Sequence, residues 1–359
     1  MGNPTVCLNM IVKDEAPVVE RALVSALPFI DSWLVVDTGS TDGTQDVVRA
    51  VLAGVPGELH ERPWRNFAHN RNEALALARP RGDYAFFLDA DDRLALPEGF
   101  ARPALEADGY HLMCEDAGTR YSRCALVATR LPWRWKGVVH EYVACQAPHR
   151  VAALDGPTIV VGHAGARSRD PSTYARDAAL LEEVVRADPS NARDVFYLAQ
   201  SLRDAGDLAR SRDTYRRRAA MGGWEEEVWF ALYQVACLGE RLGCAPPEVA
   251  ADYLAAFQYR PSRAEPLVQL ARYHREHGQH ALAHVYARHA ASLARPADGL
   301  FVEDAAYGWR ALDELAVAAY YVGALDEGRA AADRLLADAR VPPAERARIA
   351  RNRAFYGPA

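Results

Sequence analysis

Apolar residues recur along the chain in two rhythms, and the change from one to the other falls near Asp170. Before it, short continuous runs alternate with stripes at helical spacing. Thr5 to Val12 is a near-continuous apolar run ending in Lys13-Asp14-Glu15, the form of a strand covered on both faces. Glu15-Ala16-Pro17 then opens a helix with proline in its first turn, and Val18, Val19, Ala22, Leu23 and Ala26 supply the buried stripe. Ser32 to Asp37 reads as a second strand. Thr38 to Thr44 is a tight turn into a helix running to about Leu52, Leu59 to Arg62 is a weak short strand, and Phe67 to Ala78 is a helix. Tyr84 to Leu88 is too short for a helix and is bounded by Gly82-Asp83 and by Asp89-Ala90-Asp91-Asp92, so it reads as a buried strand. This alternation predicts a parallel sheet with helices on both faces.

Past the acids, Tyr110 to Cys114 and Cys124 to Ala128 read as strands of an antiparallel extension joined by an acidic loop holding Glu115 and Asp116. Leu131 to Glu141 is dense in aromatics, and Thr158 to Gly165 closes the sheet region. From Asp170, alanine, leucine, arginine and glutamate take over at helical spacing. The expected division is residues 1–168 and 169–359, an α/β domain followed by an all-α one, and a chain of 359 residues exceeds what one core usually supports.

Composition excludes more than it proposes. Half the residues are apolar and a quarter charged, as in ordinary globular proteins. A formal net charge of −6 argues against nucleic acid as a main partner. There is no run of eighteen apolar residues to span a membrane, and the first residues form neither a basic nor a long apolar leader, so a cytoplasmic location is the expectation. Cys7, Cys114, Cys124, Cys145, Cys237 and Cys244 form no Cys-x-x-Cys pair and read as reduced core residues. Of 42 basic residues only Lys13 and Lys136 are lysines.

The candidate chemistry sits where strands end. The three carboxylates after Leu88 either cap the strand-to-loop transition or share a divalent cation, because oxygens crowded this closely otherwise repel. Asp37 either caps the following helix or accepts from a base or ribose donor. Arg71 is either a solvated helix-face arginine or meets a phosphate. No Gly-x-Gly-x-x-Gly follows the first strand and no Gly-Lys-Ser/Thr loop exists, which removes support for a nicotinamide dehydrogenase or a P-loop nucleotidase.

Taken together, Asn9 to Glu15, Val35 to Thr44, Ala68 to Asn72 and Leu88 to Asp92 strongly resemble glycosyltransferase family 2 over residues 5 to 165. The resemblance implies a GT-A, Rossmann-like sheet, a nucleoside-diphosphate sugar donor with a UDP-sugar favoured, Mg²⁺ or Mn²⁺ at the Asp-x-Asp motif, and inversion at the anomeric carbon. It further implies that Glu15 and Asp37 face the nucleoside, Arg71 its base or phosphates, Asp89 the ribose and metal, and Asp91 the metal. A basic group such as Lys13 or Arg71 would offset the leaving diphosphate. His140-Glu141 and His163-Ala164-Gly165 resemble a branch of that family whose transferase domain precedes helical repeats and which includes peptide glycosyltransferases. There, an acid downstream of Asp-x-Asp is the general base and a later histidine completes the metal shell. Glu141 and His163 fit that order, with Glu115 and Asp116 as rival bases and His140 as rival ligand.

The second half carries an internal repeat. Pro189-Ser190-Asn191 returns as Pro261-Ser262-Arg263, and Leu198, Ala199 and Gly206 are answered by Leu270, Ala271 and Gly278, all at an offset of 72; half of that, 36, is close to the tetratricopeptide period of ~34 residues. A middle unit with Trp229, Tyr233, Val235 and Gly243 fills the gap. Such helix pairs stack into a solenoid that usually binds peptide or protein. The expected acceptor is therefore a peptide, protein or glycan, with homodimerisation through the repeats as the other use. Trp224, Trp229, Phe230, Tyr253 and Phe257 are either its contact residues or inter-repeat core. Two other classes compete with this reading. A pyrophosphorylase-like nucleotidyltransferase would want a Gly- and Arg/Lys-rich loop where Lys13-Asp14-Glu15 stands, and a non-catalytic scaffold presenting helical repeats would not need intact Asp89 and Asp91.

Overall fold

The computed structural model describes residues 3–139, 141–166 and 170–357. They divide into two compact units, Met1–Asp188 and Pro189–Ala359. In the first unit, β1 (Val6–Val12), β2 (Ser32–Asp37), β3 (Gly57–Glu61) and β4 (Tyr84–Phe87) are parallel. They are joined through α1 (Val19–Ala26), α2 (Thr44–Val51) and α3 (Phe67–Ala78). Strands β5 (Arg93–Ala95), β6 (Gly109–Asp116), β7 (Thr119–Ala128) and β10 (Val151–Val160) extend the sheet in the order β3-β2-β1-β4-β7-β6-β10-β5. Strands β8 (Arg134–Lys136) and β9 (Tyr142–Ala144) form a separate hairpin. Helix α4 (Thr173–Ala187) completes the unit.

The sheet is buried on both faces because its strands are apolar at both parities. Leu8 and Met10 pack with Val19, Leu23 and Phe86 on one side, while Cys7, Leu34 and Val36 meet Ala74 and Ala78 of α3 on the other. The chain runs outward from β1 through β2 to β3 and then returns to β4 on the opposite side of β1. The ends of β1 and β4 therefore form the crevice in which open α/β sheets hold ligands. Strand β7 is antiparallel to β4 and β6, and β10 is parallel to β6. The start of β7 and the end of β10 thus reach the same edge.

Glu115 and Asp116 are not in a loop but end strand β6, where Glu115 pairs in register with Arg120 and Asp116 with Thr119. The hairpin turns on Ala117 and Gly118 alone, both at positive φ (45° and 88°), the tight geometry that matches strand twist. In consequence β7 begins at Thr119, five residues before the expected strand start at Cys124, and includes Arg123.

In the second unit, α5 (Ala192–Asp204) pairs with α6 (Leu208–Ala220), α7 (Glu225–Arg241) with α8 (Pro246–Tyr259), and α9 (Glu265–Glu276) with α10 (His280–Ser292). A π-helical turn (Ala306–Arg310) leads into α11 (Ala311–Tyr321), which is followed by α12 (Leu325–Ala337) and α13 (Pro343–Ala354). These are the tetratricopeptide-like pairs that the 36-residue spacing predicts. Gly206, Gly243 and Gly278 each follow a pair's first helix at positive φ. Trp229 (0 % exposed), Phe230 and Tyr253 are core, Phe257 is half-buried and Trp224 is exposed. Successive first helices are tied by Arg272 to Glu240 (2.6 Å) and Arg275 to Glu314 (2.7 Å).

Candidate active site

The edge holding the ends of β1, β2, β4 and β10 gathers most of the residues singled out from the sequence. Asp37, the last residue of β2, is fully buried (0 % exposed). Its Oδ1 accepts from the backbone N–H groups of Gly39 (2.7 Å) and Ser40 (2.8 Å), so this oxygen shapes the glycine turn. Its Oδ2 is buried without a hydrogen-bond partner among the described residues. Native structures rarely leave such an atom unpaired unless a ligand serves it. The cap of the next helix turn comes instead from Asp42, which bonds Thr44.

Asp89 follows β4 and is clasped from two sides. Arg71 of α3 donates from Nη2 to Oδ1 at 2.6 Å and Arg123 of β7 from Nη1 to Oδ2 at 2.9 Å. Burial alone would raise the Asp89 carboxyl, but the two guanidinium groups hold it well below the usual carboxylate range. Arg71 is no solvated helix-face residue: its Nε also donates to Glu141 Oε1 at 2.6 Å, and its guanidinium lies 4.9 Å from the Trp135 ring centre. Glu141 is brought there by the turn between β8 and β9, where Gly137 adopts φ 100° and leaves only 3.3 Å between an added Cβ and the Glu141 Cα. Asn72, one residue on from Arg71, pins the hairpin through both backbone polar groups of Trp135.

The other two acids face the loop after β10. Asp91 Oδ2 accepts from Gly165 N (3.0 Å), and Asp92 Oδ1 from Gly162 N (3.1 Å). Both glycines are needed for the approach, since a Cβ on Gly162 would stand 1.9 Å from the Asp91 carbonyl oxygen and one on Gly165 2.8 Å from Asp91 Oδ2. Burial pushes the Asp91 carboxyl up against the Gly165 hydrogen bond, and burial together with the Asp89 charge raises Asp92. Glu15 accepts from Ala166 N with both oxygens (3.0 Å each), which places it beside the same loop. Lys13 is exposed at the end of β1.

His163 lies in that loop, and its Nε2 is 2.7 Å from Asp116 Oδ1. Among the described residues no group of three His, Cys, Asp or Glu side chains stands ready-made around one point for a cation. His140 lies outside the described residues. The donor chemistry nevertheless suits Mg²⁺ or Mn²⁺: Asp91 and Asp89 offer hard oxygens, and Asp91 is a carboxylate whose ionisation burial opposes and on which no arginine sits among the described residues.

Two arginines, Arg123 and Arg21, were not foreseen. Arg123 lies in antiparallel register opposite the Asp89 end of β4, which becomes legible only once β7 is known to extend back to Thr119. Asp92 pairs with Arg123 at 3.1 Å. Arg21 of α1 donates to the Asp91 carbonyl oxygen at 2.7 Å, from a helix position that reads as ordinary solvated surface.

Residues 7–97 match the family model described as glycosyl transferase family 2. A TPR repeat-containing protein of Synechococcus elongatus is 30 % identical over 319 residues, covering 80 % of this chain and 75 % of that one. The prophage-derived glycosyltransferase SunS of Bacillus subtilis is 26 % identical over 217 residues, which cover 55 % of this chain and only 49 % of SunS. Among solved structures, that of MamA aligns at a TM-score of 0.37 and 15 % identity over 48 % of this chain and 93 % of its own. No helix among the described residues is long and apolar enough to cross a membrane. With a relative matched along most of its length and residues 7–97 matching the family 2 model, the chain belongs with the TPR repeat-containing proteins and carries a glycosyl transferase family 2 domain followed in sequence by tetratricopeptide-like repeats.

Proposed function

We propose that the chain transfers a sugar, with inversion, from a nucleoside-diphosphate sugar, a UDP-sugar in the first instance, to a hydroxyl or thiol of a peptide or protein. Residues 1–168 would carry the chemistry and residues 169–359 would engage the acceptor, as helix-pair repeats commonly do. The observation that carries the donor half is Asp37: a fully buried carboxylate with one oxygen spent on a turn and the other unpartnered among the described residues, at the crevice between parallel strands. A base or ribose donor group would complete it.

Each charged residue then has a task. Asp91, with Asp89 and His163, would hold Mg²⁺ or Mn²⁺, which when bound would offset charge on the leaving diphosphate. Arg71 carries a guanidinium across Asp89 and Glu141 and would offset the same charge. Glu141 would take the proton of the attacking group. Glu15 secures the loop bearing Gly165 against the Asp91 side.

A thermal-shift panel of UDP-, GDP- and dTDP-sugars on the full chain, with and without Mn²⁺, tests the proposal. A donor at a hundred times its Kd stabilises the folded state by about 2.7 kcal/mol. One nucleotide class should raise Tm in Mn²⁺, and Asp37→Asn should lose the shift. A flat response to every donor would overturn the reading and leave the scaffold alternative.

A further inference from the structure

Three acids stand within four residues, yet their surroundings differ. Arg123 divides its fork between two of them, giving Nη1 to Asp89 Oδ2 (2.9 Å) and Nη2 to Asp92 Oδ2 (3.1 Å). Arg71 adds a second guanidinium to Asp89. Asp92 is buried, and its remaining oxygen is held by Gly162 N at 3.1 Å. The Asp91 carboxylate receives a backbone N–H and no guanidinium among the described residues. Arg123 is held through both terminal nitrogens, and its buried Nε has no partner among the described residues.

We infer that Arg123 is a positioning residue that ranks the cation ligands within the acidic run: by pairing with Asp92 and with one oxygen of Asp89 it leaves Asp91 as the principal carboxylate for Mg²⁺ or Mn²⁺, ahead of Asp89. This rests on the proposed metal-assisted transfer. The physical reason is simple. Three neighbouring uncompensated carboxylates would draw a cation into several competing arrangements. An arginine shared between the flanking acids removes those arrangements without touching Asp91. It acts through its two partners and need not touch the donor.

The test is Mn²⁺ binding without nucleotide, measured by titration calorimetry on the full chain, alongside donor binding in saturating Mn²⁺. Arg123→Gln should bind Mn²⁺ alone about tenfold more tightly, because two carboxylates lose their shared counter-charge, while its donor affinity falls. A gain in cation affinity is not what a merely structural role would produce. Arg123→Lys restores the charge and should return Mn²⁺ affinity to within about threefold of wild type. Should Arg123→Gln fail to fold, the double variant Asp92→Asn/Arg123→Gln, which removes both charges of the pair, carries the test: it should keep Mn²⁺ affinity within about threefold of wild type. Loss of Mn²⁺ binding in the double variant would give the cation to Asp92 and overturn the inference. So would a folded Arg123→Gln with wild-type affinities for both Mn²⁺ and donor. If the wild type binds donor in Mn²⁺ and only these variant results fail, the transfer reading stands alone; if the wild type binds neither, both fall.

Discussion

The ion pair between Arg71 and Glu141 offers the sharpest energetic test of how the site is held. Arg71→Met removes a guanidinium that lies 2.6 Å from both Glu141 and Asp89 and 4.9 Å from the centre of the Trp135 ring. Side-chain exposure is 13 % for Arg71 and 9 % for Glu141, so the pair is close to fully desolvated. Breaking a buried pair by deleting one partner costs about 3–5 kcal/mol. Asp89 keeps Arg123, so the unpaired charge is that of Glu141, and the lower end of the range applies; the lost ring contact adds about 0.5–1 kcal/mol. The expected destabilisation is about 3–4 kcal/mol. Glu141→Gln keeps an acceptor for Arg71 Nε and should cost about 1–2 kcal/mol, the difference between a charged and a neutral hydrogen bond. Because Arg71→Met is harmful chiefly through the charge left on Glu141, the double variant should fall short of the sum by about 1.5–2 kcal/mol. Calorimetric unfolding of the four proteins without nucleotide reads this directly, at about 2–4 °C per kcal/mol for a unit of this size. Additivity within about 0.5 kcal/mol would refute the argument, since it would mean that Glu141 is not held by Arg71 in solution.

Asp91→Asn preserves size and the hydrogen bond from Gly165, so it should abolish Mn²⁺-dependent donor binding by calorimetry with little change in Tm; wild-type donor affinity would remove Asp91 from the site. In the repeats, Arg263 and Glu265 are both fully buried and Arg263 lies 3.6 Å from the Trp229 ring centre, so Arg263→Met should cost about 3–5 kcal/mol, seen as a lowered denaturation midpoint. The pH dependence of the same region follows from Asp298: burial would raise its carboxyl, but hydrogen bonds from Arg260 and Arg263 lower it below the ordinary 3.8. A depressed folded-state pKa gives stability that is present above about 3.8 and is lost as pH falls through the folded value, so Tm should drop in that window and the drop should shrink in Asp298→Asn.

The parallel core was legible because burial on both faces writes itself as continuous apolar runs. Ser32–Asp37 and Phe67–Ala78 fall where the pattern predicts them. Strand-end acids were equally legible, since Asp14 and Glu15, Asp37, and Asp89, Asp91 and Asp92 each interrupt such runs at the expected edge. What the pattern could not carry was cross-strand register. Arg123 sits in a stretch of polar and half-buried residues, Thr119 to Cys124, whose strand character comes from pairing with β6 rather than from its own hydrophobicity. The same blindness put Glu115 and Asp116 in a loop. Arg71 shows the converse: its helix position reads as exposed, and only the packing of Trp135 and the Gly137 turn over it makes it a buried bridge. In the second unit the repeat offset gave the helix pairs, while the segment from Asp298 to Phe301, tied to Arg260 and Arg263, has no counterpart in the earlier pairs.

The central claim, that this sheet edge performs sugar transfer with Glu141 as base, is tested most directly by release of nucleoside diphosphate from the donor that gives the thermal shift, followed in Mn²⁺ with a coupled assay. The Glu141→Gln variant retains the hydrogen-bond acceptor but cannot take a proton, so kcat should fall by about 10² to 10⁴ while donor Kd stays nearly unchanged. Near-wild-type kcat in Glu141→Gln, with loss of turnover in Asp116→Asn or Glu115→Gln instead, would contradict the account and move the base to the end of strand β6.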